Sequence, residues 1–210
     1  MKKRLQKRTA QAQTHQLRMN PLFNEGGFTL IEMLVVVGII GILSALASLG
    51  MDVWHKSRLT SATSQLLADL QTVRMNAMTE SSATLSHGFG LRFLDSGSYR
   101  TFEFVESSVS GFDDFEYEGT TEESAPVDHG LGASISVTVG ASTSPIDLNG
   151  GVDEAVLIYD KRGMVRSFNW GLGGRTYVVH HANLSTARCV TIAAVRIREG
   201  VWDGSSCDLR

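Results

Sequence analysis

The feature that most constrains this chain is an unbroken apolar run with one acid near its start. Residues 28–49 contain a single charged side chain, Glu32, and no further charge appears before Asp52. A helix of roughly 20 apolar residues crosses a bilayer core, so this run is long enough for one membrane span. A carboxylate inside such a span costs about 2.5–3.5 kcal/mol at the helix centre, which favours a specific partner for Glu32.

The start of the run forms a motif, GGFTLIE at 26–32. It resembles the processing site of type IV prepilins and of type II secretion pseudopilins. The resemblance implies that a prepilin peptidase cuts between Gly27 and Phe28, and that the new amino terminus of Phe28 is methylated. Two other interpretations are an ordinary signal anchor with a chance glutamate and a secretory signal peptide that is cut after 44–47. A signal peptide leaves the GFTLIE sequence unexplained.

Charge is distributed unevenly along the 210 residues, whose formal net charge is −3. Residues 1–27 carry six basic side chains and one acidic side chain, which leaves 13 basic and 21 acidic residues, a net charge of −8. Because Lys and Arg are enriched on the cytoplasmic side of a membrane span, 1–27 are predicted to be cytoplasmic. The rest of the chain is then expected outside a bacterial inner membrane. A start at Met19 would shorten this leader to nine residues.

Beyond residue 50 the apolar character narrows to one stripe with the helical period of three or four residues. The stripe comprises Leu59, Ala62, Leu66, Leu70, Val73 and Ala77. No proline occurs between 28 and 125, so one helix is predicted over about 28–80. Its first half requires lipid or a partner protein, and its second half requires a globular domain that covers the stripe.

After residue 88 apolar and polar residues alternate, which is typical of β-strands. A hairpin is predicted over 89–105 with its turn at 95–98. Further strands are predicted over 132–139, 154–160, 164–169, 175–181 and 188–198. Turns are expected at 149–151, 161–163 and 171–174, the last as a hairpin turn, and 106–126 is interpreted as an acidic loop.

A long helix followed by antiparallel strands predicts an α+β fold, with a sheet packed on the second half of the helix. The sequence therefore divides into a leader (1–27), a transmembrane helix half (28–50), an amphipathic helix half (51–82) and a β-rich domain (83–210).

The C-terminal stretch carries a second resemblance. The strand and glycine turn at 157–163, the strand that begins Arg188-Cys189, and an arginine-bearing tail closed by Cys207 are similar to the GspH/FimT family. That family often has Gly-Arg-x-Arg where this chain has Val-Arg-Ile-Arg at 195–198. The resemblance implies a minor pseudopilin or pilin near the tip of an envelope-spanning filament. The leading assignment is type II secretion and the alternative is a type IV pilus, in either case without enzymatic activity or a cofactor.

Glu32 is the residue expected to direct assembly, and Thr29 is assigned to the same motif. The family resemblance implies that Glu32 pairs with the Phe28 amine of a neighbouring subunit and so sets the axial register. Opposite charges about 4 Å apart attract by about 4 kcal/mol at an effective dielectric near 20. Small residues at 38, 41, 45 and 47 would let neighbouring helices approach closely. The expected partners are therefore other pilins or pseudopilins, the peptidase and membrane lipid.

The two cysteines, Cys189 and Cys207, lie close together in the sequence. Export permits a disulfide between them, worth roughly 3 kcal/mol in the chain-entropy model, and two reduced thiols are the alternative. No metal site is expected, because the six histidines are scattered and lack zinc-ligand spacing. A solvated acidic surface is favoured over a calcium site for the acidic block Asp113, Asp114, Glu116, Glu118, Glu122 and Glu123.

Basic residues are concentrated near the C-terminus. Arg196 and Arg198 share one strand face, and Arg188 and Arg166 are expected nearby. Such a strip could bind phosphates, and some FimT-type pilins take up DNA through a tail of this kind. No aromatic residues are interleaved with the arginines and the overall charge is negative, so solvated or partner-contacting charges are the favoured interpretation over nucleic-acid binding.

Overall fold

The structure is a computed structural model that describes residues 27–79, 86–106, 117, 119–140, 155–167, 171 and 173–209. The chain forms two compact units, Met1–Ala45 and Leu46–Arg210. Helix α1 (Leu30–Thr79) contributes residues to both units. The predicted helix is therefore confirmed, and its bounds differ by one or two residues from those expected.

The rest of the second unit, as far as its residues are described, consists mainly of ten strands and one short 3-10 turn at Thr120–Glu122. The strands are β1 (Ser86–Asp95), β2 (Ser98–Val105), β3 (Glu123–Gly130), β4 (Ile135–Val139), β5 (Val156–Asp160), β6 (Val165–Arg166), β7 (Arg175–His181), β8 (Ala187–Ala193), β9 (Arg196–Trp202) and β10 (Cys207–Leu209).

These strands form two five-stranded sheets. The first sheet has the order β3-β2-β1-β5-β6 and the second has the order β10-β9-β8-β7-β4. All the pairings are antiparallel. The α+β, pilin-like fold class is confirmed, with two sheets where the sequence predicted one.

One hydrophobic core joins the helix to both sheets. The predicted stripe is buried, and Leu66 and Leu70 within it are 0% exposed. The stripe packs with Phe93 and Tyr99 of the first sheet and with Val190 and other residues of the second. Full burial of one leucine contributes about 1.5–3 kcal/mol, so the stripe is a major source of stability for this unit.

Several strand predictions were wrong in detail. The strand expected over 188–198 is two strands, because the chain turns at 194–195 without the glycine or proline that usually marks a turn. Residues 123–126, which were expected in the acidic loop, belong to β3, and β10 was not predicted. Strand β4 begins at Ile135, three residues later than expected.

The segment 171–174 was expected to be a hairpin turn. It lies between β6 and β7, which belong to different sheets, so it connects the two sheets and does not form a hairpin. Hydrogen bonds from the Ser167 N–H to the Gly171 carbonyl and from the Gly173 N–H to the Val165 carbonyl hold it in place.

Some predictions fall outside the described residues. They are the leader up to residue 26, the helix end beyond Thr79, most of the acidic loop and the turn at 149–151. Of the acidic block, Asp113, Asp114, Glu116 and Glu118 lie outside, as do residue 154, residues 168–169 and Leu172.

Candidate processing and assembly site

The Gly27–Phe28 peptide bond lies in a short non-helical segment. Residues 27–29 precede α1 and are exposed, and the Phe28 side chain is 73% exposed. A Cβ atom added to Gly27 would meet nothing within 4 Å, so the fold of the described residues does not require glycine there. A glycine that the fold does not require, next to an exposed non-helical bond, suits an external partner that must approach the backbone closely.

Thr29 begins the helix. The backbone N–H of Glu32 donates to Thr29 Oγ1 at 3.3 Å, and the N–H of Met33 donates to the Thr29 carbonyl at 3.2 Å. Thr29 is therefore the N-cap residue, and the Thr-x-x-Glu spacing is that of a capping box. The cap was not predicted, although Thr29 and Glu32 carry its signal in the sequence.

Glu32 lies in the first helical turn. A carboxylate there interacts favourably with the positive end of the helix macrodipole, typically by about 0.3–1 kcal/mol. Glu32 is exposed, and it forms no ion pair with any residue that the structure describes. The local cap thus accounts for part of its presence, and the carboxylate is still accessible to another chain.

The helix that follows this cap has an apolar surface without cover. Every large hydrophobic side chain from Phe28 to Leu43 is between 43% and 83% exposed. By length and composition α1 can cross a membrane, and the apolar stretch that satisfies this test is not buried inside the protein. Leaving so many apolar side chains in water is unfavourable, so the surface suits lipid or neighbouring helices.

Comparison with known proteins identifies this part of the chain. Residues 22–48 match the prokaryotic N-terminal methylation motif. No curated protein and no solved structure matches the chain. The motif indicates a type IV pilin-like or pseudopilin subunit, and it suggests a structural role in place of an enzymatic one. It also implies processing by a prepilin peptidase and assembly with other pilins. The apolar helix near the N-terminus is consistent with the membrane anchor of a pilin.

The two cysteines are joined in the second sheet. Cys189 in β8 and Cys207 in β10 form a disulfide with a Cα–Cα distance of 5.9 Å. Gly200 of β9 lies between them, and a Cβ there would come within 2.3 Å of the Asp208 carbonyl oxygen. Glycine is therefore required at 200 for β10 to approach so closely.

The four arginines of the expected basic strip differ in the sheet face they occupy and in their partners. Arg196 and Arg198 are exposed on β9, opposite Ala193 and Thr191 of β8. Arg188 projects from the other face of the sheet, as strand alternation requires, and its guanidinium lies 3.6 Å from Glu199.

The fourth arginine, Arg166, is in the first sheet and pairs with Asp160 at 2.9 Å. Burial alone would raise the pKa of Asp160. Hydrogen bonds from the Met164 backbone, from Arg166 and from the Arg162 backbone instead hold this pKa below its usual value. Arg188 therefore does not share a face with Arg196 and Arg198. The backbone beside Arg166 does contact the turn before β9, because the Val165 N–H donates to the Ala194 carbonyl at 3.3 Å.

Two histidines that are distant in sequence form a contact that was not predicted. His55 of α1 and His181 of β7 are both buried, and their ring centroids are 4.5 Å apart. Asn183 lies beside both rings: its backbone N–H donates to His181 Nδ1, and its side-chain amide lies 3.4 Å from His55 Nε2. Within the described part of the chain, no group of three or more His, Cys, Asp or Glu side chains is suited to hold a metal ion.

Proposed function

We propose that this protein is a minor pseudopilin of the GspH/FimT type, a structural subunit of an envelope-spanning filament in type II protein secretion. The observation that carries the proposal is the match of 22–48 to the N-terminal methylation motif. The exposed apolar surface of α1 and the pilin-like fold of the second unit support it.

The proposed maturation begins with cleavage by prepilin peptidase between Gly27 and Phe28, followed by methylation of the Phe28 amine. Residues 1–27 are the leader, 28–50 the transmembrane half and 51–82 the amphipathic half of the helix, and 83–210 the β-rich domain. The basic leader places the cut on the cytoplasmic side, and the β-rich domain on the periplasmic side.

In assembly, Glu32 pairs with the Phe28 amine of a neighbouring subunit. The Thr29 cap supports this role because it fixes the first helical turn, and Glu32 with it, directly after the new chain end. Apolar side chains then exchange lipid for contacts with neighbouring helices, which the small residues at 38, 41 and 45 allow to approach closely.

Mass spectrometry of the protein from cells with an active prepilin peptidase tests the processing step. The expected mature chain begins at a methylated Phe28. An intact leader, or a terminus after residue 47 as for a signal peptide, would contradict the proposal.

Substitutions at Glu32 separate its charge from its place in the capping box. Glu32→Gln keeps a residue that capping boxes accept and removes the charge, whereas Glu32→Ala removes both. We expect both variants to be cleaved and both to be poorly incorporated into filaments, as measured by shearing and immunoblotting. Normal incorporation of Glu32→Gln would show that the cap matters and the charge does not.

The alternative is a minor pilin of a type IV pilus, which acts in pilus biogenesis, motility or DNA uptake. Because Arg196 and Arg198 are exposed, DNA uptake is the most testable of these pilus functions. Deletion of the gene should abolish exoprotein secretion and leave surface pili intact if the leading proposal holds; the opposite result supports the pilus. Salt-sensitive retardation of DNA that is lost in an Arg196→Ala, Arg198→Ala variant would support DNA binding.

A further inference from the structure

A cavity of about 280 Å³ lies between α1 and the first sheet. We call it the α1–β3 cavity. Its apolar wall includes Val73, Phe89 and Val127, and its polar wall includes Asp69, Glu103 and His129. This volume is at the lower limit for pockets that hold drug-sized ligands, which suits a single side chain better than a large molecule.

An irregularity in β3 borders this cavity. On β2, Thr101 pairs with Val127 and Glu103 pairs with Ser124, which leaves one residue of β2 between the two pairs. On β3, two residues, Ala125 and Pro126, lie opposite that single residue. This is a β-bulge. Ala125 has a φ of 46°, in the left-handed region that is unfavourable for a non-glycine residue. Bulges and strained residues of this kind are concentrated at functional sites.

Glu103 supplies a carboxyl oxygen without a hydrogen-bond partner beside the cavity. The residue is only 8% exposed, and its Oε1 atom is buried without a hydrogen-bond partner. It lies on the face of β2 that also carries Tyr99 and Thr101, which is the face that packs towards α1. A buried carboxylate oxygen without a partner is costly, so the site is incomplete as it stands.

Glu123 of β3, whose side chain is also covered, shows what a satisfied site looks like. Glu123 has a side chain only 1% exposed, and it accepts hydrogen bonds from Arg92 and Arg100, each at 3.1 Å to Oε2. Tyr117 donates to its other oxygen at 2.6 Å. Two cations thus satisfy Glu123, whereas no cation among the described residues pairs with Glu103.

The second carboxylate of the cavity is held in a fixed position. The hydroxyl of Tyr99 donates to Asp69 Oδ2, and His129 Nδ1 lies 3.4 Å from the same oxygen. The rings of Tyr99 and His129 are stacked with centroids 5.1 Å apart, and Thr101 Oγ1 lies 3.1 Å from His129 Nε2. These contacts preorganise an acidic wall.

We propose that the α1–β3 cavity binds the lysine side chain of an extended polypeptide segment from a partner, with its ammonium group between Glu103 and Asp69. The methylene groups of the lysine pack against Val73, Phe89 and Val127. This inference does not depend on the proposed filament function, because all of its residues lie in the second unit.

The chemistry of the cavity favours lysine over other cations. A divalent metal ion prefers more oxygen ligands than this wall offers, and the described residues contain no group of three His, Cys, Asp or Glu side chains able to hold a metal. The planar guanidinium group of arginine binds best to a single carboxylate in a bidentate manner, whereas the three donors of an ammonium group can reach separate acceptors.

The position of β3 explains why the ligand is part of a polypeptide. Among the described strands, β3 is at the edge of the first sheet. Three of its residues, Ala125, Val127 and His129, line the cavity. An extended segment that pairs with this edge would direct alternate side chains towards one face of the sheet, as in other cases of strand addition.

Calorimetric titration of the full chain in detergent micelles tests the proposal, with the capped peptide Thr-Val-Lys-Val-Thr as the probe. Replacing lysine by its neutral isostere norleucine should weaken binding about tenfold or more, since a hydrogen bond to a charged group is worth about 1.5–3 kcal/mol. Glu103→Gln should weaken binding of the lysine peptide to a similar degree. Asp208→Asn, which removes one exposed charge from β10, is the matched control and should have no effect.

A second variant covers the case in which Glu103→Gln does not fold. Val127 is 54% exposed, so Val127→Trp can fill the cavity from its rim, and it should abolish binding. Equal affinity for the lysine and norleucine peptides, no effect of Val127→Trp, or no binding would overturn the proposal. Binding of n-butylammonium without binding of the peptide would overturn the polypeptide partner, and tighter binding of calcium ions than of the peptide would overturn the lysine site.

Discussion

Two stretches of α1 that have similar helical geometry differ in what surrounds them. In 30–43 every large apolar side chain is at least 43% exposed, and apolar residues occur on all sides of the helix. In 59–77 the apolar residues Leu59, Leu66, Leu70 and Val73 are at most 4% exposed and form one stripe. The first stretch is apolar all round, and the second is amphipathic.

Helix formation and helix stabilisation are therefore separate questions in this chain. Tertiary packing of one face provides most of the stability of helices in globular proteins. The second stretch obtains this stability from its own sheets. The first stretch has no such partner among the described residues, which is expected of a helix that is stabilised by lipid or by other subunits.

Truncation of a leucine in each stretch is the strongest test of this comparison. Leu66→Ala should lower the free energy of unfolding of the second unit by about 2–5 kcal/mol, because a cavity is created in the core. Leu43→Ala is the control, since an exposed substitution should change it by less than about 0.5 kcal/mol. Urea unfolding of the full chain in micelles measures both values. Similar effects at the two sites would remove the distinction between the stretches.

The disulfide should stabilise the second unit and not the first stretch of α1. Replacing Cys189 and Cys207 together by serine should lower the free energy of unfolding by roughly 3 kcal/mol, because the crosslink closes a loop of 18 residues in the unfolded chain. Reductant added to the wild-type protein should reproduce this loss. Unchanged unfolding on reduction would show that the crosslink adds nothing to the second unit.

The N-cap should act only on the first stretch of α1. Thr29→Ala removes the acceptor for the Glu32 N–H and should cost about 1 kcal/mol of local helix stability, whereas Thr29→Ser keeps it. A loss of 1 kcal/mol corresponds to about fivefold faster amide exchange in the first turn. Hydrogen exchange in micelles measures this change. Equal exchange rates in the Ala and Ser variants would contradict the capping role.

The pH dependence gives the smallest expected effect, and it should also be confined to the second unit. Burial lowers the pKa of His181, and the nearby His55 and Arg58 lower it further. His181 therefore binds a proton near pH 6.5 in the unfolded chain, but only at a lower pH in the folded chain. The contribution of His181 to stability is complete above about pH 6.5 and decreases as the pH falls.

Urea midpoints between pH 7.5 and 5 check this prediction. In a His181→Gln variant the decrease should be shallower, and a residual slope should remain because burial also lowers the pKa of His180. Residues 28–51 contain no histidine, so helix content in that stretch should not follow the same titration. A wild-type urea midpoint that rises on acidification would contradict this prediction.

The sequence predicted those parts of the fold that have a local period. The helix, its buried stripe and the β1–β2 hairpin all follow from side-chain spacing over ten to twenty residues. The turn at 194–195 was missed because it has no glycine or proline, and β3 was missed because its polar and proline-containing sequence does not alternate.

The functional sites, too, could be predicted only where their residues are contiguous in the sequence. The methylation motif and the capping residue Thr29 are short contiguous patterns, so one sequence is enough to find them. The α1–β3 cavity and the His55–His181 contact could not be found, because they join residues far apart in the chain. Arg188 and Arg166 illustrate the same limit, since their partners Glu199 and Asp160 became evident only from the strand pairing.

Composition and periodicity were enough to predict an apolar helix with a processing motif, an amphipathic continuation and a β-rich remainder, because both act over short distances. The tertiary structure adds that the strands form two sheets, that Arg188 lies on the other sheet face from Arg196 and Arg198, and that no cation among the described residues pairs with the buried Glu103. Strand order and burial depend on which distant segments pack together, and the local pattern of side chains does not specify that choice.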